Sequence, residues 1–279
     1  MFTDECYCQV CVYDRAGLGW SEAAPRMNMS DPGEAAVART LGPEATGLRM
    51  VSDLHRLITF ANPQERPLVL VGAELGGLVA RLYTLLHPED VAHLVMIDPV
   101  SETLFDDVSN VNDAERTENP WLGHWFGAVL PSLRLLQVAA MAGLARLGLL
   151  LHLMELPEEG HTDSAKLKHQ LCDPFHLQGM IDEHRNINET LRQVAEVSAS
   201  ASLSEMAVTV MSGAVYDTQL APALNRGWSR AVQDVIERTG SKHIVISAGD
   251  RRTLLSGGLV SELMAPVVRI VKNWRQHRS

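Results

Sequence analysis

The residues of this chain that could carry chemistry converge on one pentapeptide. Gly72-Ala73-Glu74-Leu75-Gly76 follows a short apolar run, Leu68 to Val71, and precedes a helical pattern that runs from about Gly76 to His87 and stops before Pro88. A strand, a tight turn and a helix in that order is the setting in which a G-x-S-x-G elbow presents a nucleophilic serine. The outer glycines, Gly72 and Gly76, suit a sharp turn with close strand–helix packing. The central position here is Glu74. A carboxylate there can attack carbon, but turnover then needs a base to activate water. His243 is a poor source of that base. It stands at the start of an apolar strand, His243 to Ser247, whereas sites of parallel α/β sheets form beyond the C-terminal strand ends.

The elements that must position this turn follow from apolar patterning. Val10 to Asp14, Leu68 to Val71 and Ala92 to Asp98 are short, nearly continuous apolar runs, as strands buried on both faces require. Between the first two, residues 23–43 hold Pro25, Pro32, Gly33 and Pro43 and read as a loop with at most a short helix. Gly47 to Ala61 places Leu48, Val51, Leu54, Leu57 and Ile58 on one helical face. The first hundred residues thus read β–α–β–α–β, which predicts a mostly parallel central sheet flanked by helices. Residues 101–205 contain no convincing strand. They hold an acidic stretch to Glu118, an aromatic cluster at 120–126, a strongly apolar run at 129–154 and a helical segment near Ile181 to Ser198. Strand character returns at Ala207 to Met211 and at His243 to Ser247, around a helix from about Ala223 to Thr239. An amphipathic helix, Leu259 to Trp274, ends the pattern. The expected organisation is a sheet-forming core at 1–100 and 206–279 interrupted by a helical insertion at 101–205.

Composition narrows the class. With 46% hydrophobic and 21% charged residues, the chain can bury a core and is not a disordered one. A formal net charge of −10 argues against nucleic-acid binding, which wants a basic face. Residues 1–120 carry 8 basic and 19 acidic side chains, and 121–279 carry 16 and 15, so the excess is N-terminal and reads as solvated surface. Cys6, Cys8, Cys11 and Cys172 do not make a disulfide framework. The first three lack a partner Cys/His pair at zinc-site spacing and read as small buried hydrophobes. No metal and no cofactor is expected. The Met1 end lacks the basic and apolar regions of a signal peptide, so the expectation is a cytoplasmic protein. Arg134 and Arg146 interrupt the 129–154 run, which favours two packed helices over a span and leaves open a peripheral membrane contact.

Three stretches give a more specific lead. Tyr13-Asp-Arg-Ala-Gly-Leu-Gly-Trp-Ser-Glu22, the elbow region through Arg81-Leu-Tyr, and His87-Pro-Glu-Asp-Val-Ala-His-Leu-Val-Met-Ile-Asp-Pro99 together resemble the α/β-hydrolase superfamily, in particular its esterase-like members with a cap. The resemblance implies that fold, with 101–205 in the place of the cap. It also implies a serine nucleophile, a histidine after the last strand and an acid after an earlier one. This chain departs from that pattern. The family's His-Ser pair is Ala73-Glu74, and its late Gly-His is Gly249-Asp250. The acid position falls on Asp217, with Asp98 as the alternative. The implied triad is Glu74, Asp217 and Asp250, three carboxylates without an imidazole to shuttle a proton, and acyl transfer by the usual route is lost. Gly72, Leu75 and Gly76 are the elbow and oxyanion positions, the Leu75 N–H being one donor. Its partner should come from an early His-Gly loop that this sequence does not contain.

The expected function is therefore a catalytically inactive hydrolase fold that binds or scaffolds. The alternative is a hydrolase of esters or other small apolar substrates with Glu74 as a carboxylate nucleophile. Arg15 and Arg251 are the candidate counter-charges for Glu74, Trp20 and Trp121 candidate pocket walls, and His161 and His176 candidate bases from the insertion. Expected partners are a small apolar ligand in the residual pocket and a protein at the sheet edge beside Val10 to Asp14, left bare where the family has further strands.

Overall fold

The computed structural model describes residues 9–25, 27–28, 30–61, 66–105, 120–151, 164–215, 217–255 and 259–276. In chain order these form α1 (Pro32–Leu41), α2 (Gly47–Ala61), β1 (Leu68–Ala73), α3 (Leu75–Leu86) and β2 (Val91–Ile97). Then come α4 (Pro120–His124), a π-helical turn (Trp125–Val129), α5 (Leu130–Met141), α6 (Leu144–Leu150), α7 (Ser164–Leu171), α8 (Pro174–Arg185) and α9 (Ile187–Ser200). The chain closes with β3 (Val208–Val215), α10 (Pro222–Thr239), β4 (Lys242–Asp250), α11 (Arg251–Leu255) and α12 (Val260–Gln276). It groups into two compact units. One comprises residues 1–13, 53–104 and 194–279, and the other residues 14–52 and 105–193.

The first unit is built on a parallel sheet of order β1-β2-β3-β4. Side chains alternate across a strand, so each strand feeds two layers. Val95, Met211 and Ile246 project to one face, where they pack with Leu254 of α11 and Leu263 and Val267 of α12. Leu94, Met96 and Val210 alternate to the other face and are fully buried. Helix α3 packs on β1 and β2 and is buried from Gly77 through Leu85, which explains why it carries only one charged residue, Arg81. That charge is compensated: Arg81 donates 2.7 and 3.0 Å hydrogen bonds to both Glu102 oxygens, and both side chains are nearly buried.

The second unit is helical. Ala140, Ala145, Cys172 and Leu177 form its small core, with Leu136, Leu149 and Met180 against them. The loop at 14–22 is tied to α8: Arg15 grips Glu183 through two hydrogen bonds of 2.6 and 2.8 Å, and Gly19 N–H donates to His176 Nδ1 at 2.8 Å. Gly17 and Gly179 meet backbone to backbone, and a Cβ on Gly179 would lie 2.4 Å from the Gly17 oxygen.

Four expectations are corrected. Residues 10–14 are not a strand. Val10 is 67% and Val12 92% exposed, so their apolar pattern has no sheet to bury it. Cys11 is exposed rather than buried; Cys6 and Cys8 lie outside the described residues, and Cys172 is buried. Residues 23–43 contain a ten-residue helix, because Pro32 and Gly33 open α1 rather than break it. Asp31 accepts from Glu34 N–H at 2.8 Å, and proline is preorganised for a helix's first turn. The segment near Ile181 to Ser198 is two helices, α8 and α9, parted at Asn186. His161 and most of the acidic stretch, 106–118, also lie outside the described residues.

Candidate functional site at the elbow

Strand β1 delivers the chain to Glu74, and α3 carries it away one residue later. Glu74 sits at φ 47° and ψ −117°, a conformation costly for any residue with a side chain. The surroundings impose it. Glu74 N–H donates to the Ile97 carbonyl of β2 at 3.0 Å, and its own carbonyl accepts from Gly77 N–H at 3.0 Å. A Cβ at Gly72 would lie 2.3 Å from the Gly76 carbonyl oxygen, so position 72 admits only glycine. Gly77, which sequence reasoning did not single out, is also tight: its Cβ would come within 3.2 Å of the Gly72 oxygen. Leu75 opens α3, where first-turn N–H groups have no acceptor within the helix.

The Glu74 side chain meets Arg251, whose Nη2 is ion-paired with Oε1. Arg251 opens α11, directly after β4. Its Nε lies 3.2 Å from Asp98 Oδ2, and its guanidinium lies over the Trp228 ring of α10, 3.6 Å from the centroid. Each of β1, β2, β4 and α10 thus contributes one residue at its end or along its face. Exposure separates their roles. The Glu74 side chain is 37% exposed and faces water, whereas Asp98 is 5% exposed and sits beneath the guanidinium. Burial pushes the Asp98 carboxyl up to about 6, opposed by the positive charge of Arg251 and the Trp228 hydrogen bond and aided by the negative charge of Glu74. The cluster is therefore two carboxylates sharing one cation on an aromatic face.

The other expected site residues are engaged in local structure. Asp217 Oδ1 accepts from Gln219 N–H at 2.8 Å, and its backbone is bracketed by the Asn225 amide. Asp250 caps α11, its Oδ1 accepting from Thr253 N–H at 2.8 Å and from the Thr253 hydroxyl at 2.7 Å. Of the two candidate counter-charges, Arg251 reaches Glu74 and Arg15 belongs to Glu183. Trp20 stacks on His169, and Trp121 is buried edge-on against His124. His243, the second residue of β4, shares a 2.8 Å hydrogen bond with Ser212. His176 accepts from Gly19, and burial lowers its pKa. Among the described residues, the ionic cluster around Glu74 contains no histidine. Trp228 went unnoticed in the sequence because its position in the helical repeat of α10 reads as ordinary packing.

A second polar cluster sits at the opposite end of α3, about 18 Å along the helix from Glu74 at the usual rise per residue. His55 and His87 stack face to face, 4.0 Å between centroids, beside the buried Asp90. Their ligand-type atoms and that of Asp90 lie within 4.8 Å of one another. Asp90 is already satisfied, however, by Arg66 at 2.6 Å and the Tyr83 hydroxyl at 2.7 Å. Parallel rings also cannot both aim an in-plane lone pair at one ion without turning. The cluster is complete as a hydrogen-bonded brace.

A family model described as alpha/beta hydrolase fold matches residues 4–142. Among solved structures, Cfl2 from Burkholderia cenocepacia is similar at 17% identity and a TM-score of 0.55, covering 94% of this chain and 76% of its own. The haloalkane dehalogenase DbeA-M1 loop variant from Bradyrhizobium elkanii is similar at 11% identity and 0.53, covering 95% and 81%. MGS-M2, an alpha/beta hydrolase enzyme from a Medee basin deep-sea metagenome library, is similar at 12% identity and 0.52, covering 95% and 78%. At such identities the likeness is one of fold. No curated protein matches the chain in sequence. The parallel sheet, the strained strand–helix turn and the matched family model agree, and the chain belongs to the α/β-hydrolase superfamily.

Proposed function

We propose that this protein is a non-catalytic member of its superfamily, acting as a binding protein or scaffold. The observation that carries the reading is the Glu74–Arg251 ion pair at the elbow. A guanidinium held on Oε1 stabilises the ionised carboxylate and so lowers its nucleophilicity. Asp98 and Trp228 fix that guanidinium from two further sides, so releasing Glu74 would leave Arg251 facing Asp98 alone. Ester hydrolysis by the superfamily's usual route also asks for a proton carrier titrating near neutrality. Asp98 approaches that range, but it is buried and neighbours the same cation. The ligand that fits this reading is small and apolar, because the charges at the elbow are already paired with one another.

The test is turnover by purified protein of a panel of short and long activated esters, an epoxide and a haloalkane, with Glu74→Ala and Arg251→Gln beside it. No turnover above buffer by any of the three supports the proposal. Turnover by the wild type that Glu74→Ala abolishes overturns it and makes Glu74 a working carboxylate.

A further inference from the structure

The helical unit exposes an apolar surface that its own core does not need. One side of α5 and α6 packs inward through Leu130, Ala140 and Ala145. The outward side carries Leu135, Val138 and Met141 on α5 and Leu144, Leu147 and Leu150 on α6, each 49 to 75% exposed. A surface helix ordinarily puts polar residues there. Scattered exposed leucines mean little, but six on two consecutive helices form a patch of the kind that marks an interaction site.

The charge pattern says what covers it. Residues 120–151 contain no aspartate or glutamate, in a chain of net charge −10, and their charged side chains are Arg134 and Arg146. Both arginines are exposed. In the helix beneath, Asp173 is occupied capping Phe175 N–H and Asp182 accepts from Gln178. An apolar face whose own helices carry two arginines and no carboxylate is complementary to an anionic bilayer, into which the leucines can sink while the guanidinium groups meet phosphates. Crossing is not the geometry. The helical run Pro120–Met141 and α6 are bent by 90° to each other, no single helix among the described residues is long and apolar enough to span, and the inner side of the pair is committed to the protein core.

We propose that α5 and α6 form a membrane-docking surface that lies in the interface of an anionic lipid bilayer. The proposal rests on the helical unit alone, so it stands or falls independently of whether Glu74 is catalytic. The experiment is flotation of the full chain with phosphatidylcholine vesicles, with and without about 30 mol% phosphatidylserine. Wild type is expected to float with the anionic vesicles and at least about tenfold less with neutral ones. Val138→Glu/Leu147→Glu should remain in the soluble fraction, and Arg134→Gln/Arg146→Gln should bind anionic vesicles about tenfold more weakly. All these side chains are exposed, and an unchanged thermal melt verifies folding of each variant. No flotation of wild type overturns the proposal, as does equal flotation of the Val138→Glu/Leu147→Glu variant. Wild-type dimers that this variant dissociates, without vesicle binding, would assign the face to a second copy instead.

Discussion

Arg251 and Trp228 meet face to cation at 3.6 Å, joining the first turn of α11 to the middle of α10 directly behind the elbow. A guanidinium on an indole face keeps its in-plane N–H groups available, and here Nη2 donates to Glu74 while Nε stands within ion-pair distance of Asp98. The tryptophan therefore sets where the positive charge sits, and the charge sets what Glu74 can do.

Replacing Arg251 with methionine keeps apolar contact with Trp228 and strips both carboxylates of their cation. The expected loss is about 2 kcal/mol in urea unfolding at pH 7, with Glu74→Gln alone costing less because Glu74 is the more exposed member. The double variant should cost less than the sum of the singles by at least about 0.5 kcal/mol, since the two share one interaction. Strict additivity would show that the pair is not coupled.

Asp98 should impose a pH dependence of its own. Its folded pKa of about 6 stands above the unfolded 3.8. The sign follows: its contribution is fully present below pH 3.8 and is lost as pH rises through about 6. Asp98→Asn should remove that slope, and the difference in stability between wild type and variant should change by on the order of 3 kcal/mol between pH 3.5 and 7. Chemical denaturation at four or five pH values measures it, and parallel curves for the two proteins would refute the assignment.

The His55–His87 stack acts in the opposite direction. Burial, then the neighbouring His55, lowers the His87 pKa below 6.5, with Asp90 opposing. Stability tied to neutral His87 is present above pH 6.5 and is lost as pH falls through the depressed value. His87→Phe keeps a flat ring against His55 and should flatten the fall of Tm between about pH 6.5 and 5. A residual slope is expected from His93 and His243, which burial also lowers.

Glycines provide a steric test. Gly72→Ala forces a Cβ into the Gly76 carbonyl and should cost about 3 kcal/mol or prevent soluble expression. Gly123→Ala in α4 meets nothing within 4 Å and should be neutral or stabilising by up to about 1 kcal/mol. Thermal melts of the two variants in parallel compare them, and a well-tolerated Gly72→Ala would mean that the turn relaxes.

Ala92 to Asp98 was legible because a parallel strand inside a sheet must be apolar nearly throughout, and Leu68 to Val71 because it shares that character, although at the sheet edge it is only partly buried and Val71 is 45% exposed. Val10 to Asp14 has the same character and misled for the same reason. Five apolar residues do not say whether a pairing partner exists, and a strand is defined by its neighbour. Pro32 and Gly33 misled through position, being breakers inside a helix but acceptable in a first turn behind Asp31. At the site, Glu74 announced itself by its spacing between glycines. The grouping of Asp98, Arg251 and Trp228 did not, since Asp98 precedes the other two by more than a hundred positions, and three residues on separate elements share no local pattern and meet only when the sheet has formed.

Strands β2 and β3 lie side by side, yet β2 ends at Ile97 and β3 begins at Val208. Joining them means closing a very long loop before any ladder bond forms, which makes this pairing a slow, non-local event in folding. Loop-closure entropy grows only logarithmically, so halving or doubling the insert would shift the equilibrium by just about 0.6 kcal/mol. The insert's length is thus almost invisible to the sheet's stability, and evolution could rebuild the helical segment wholesale while β2 and β3 kept the same register.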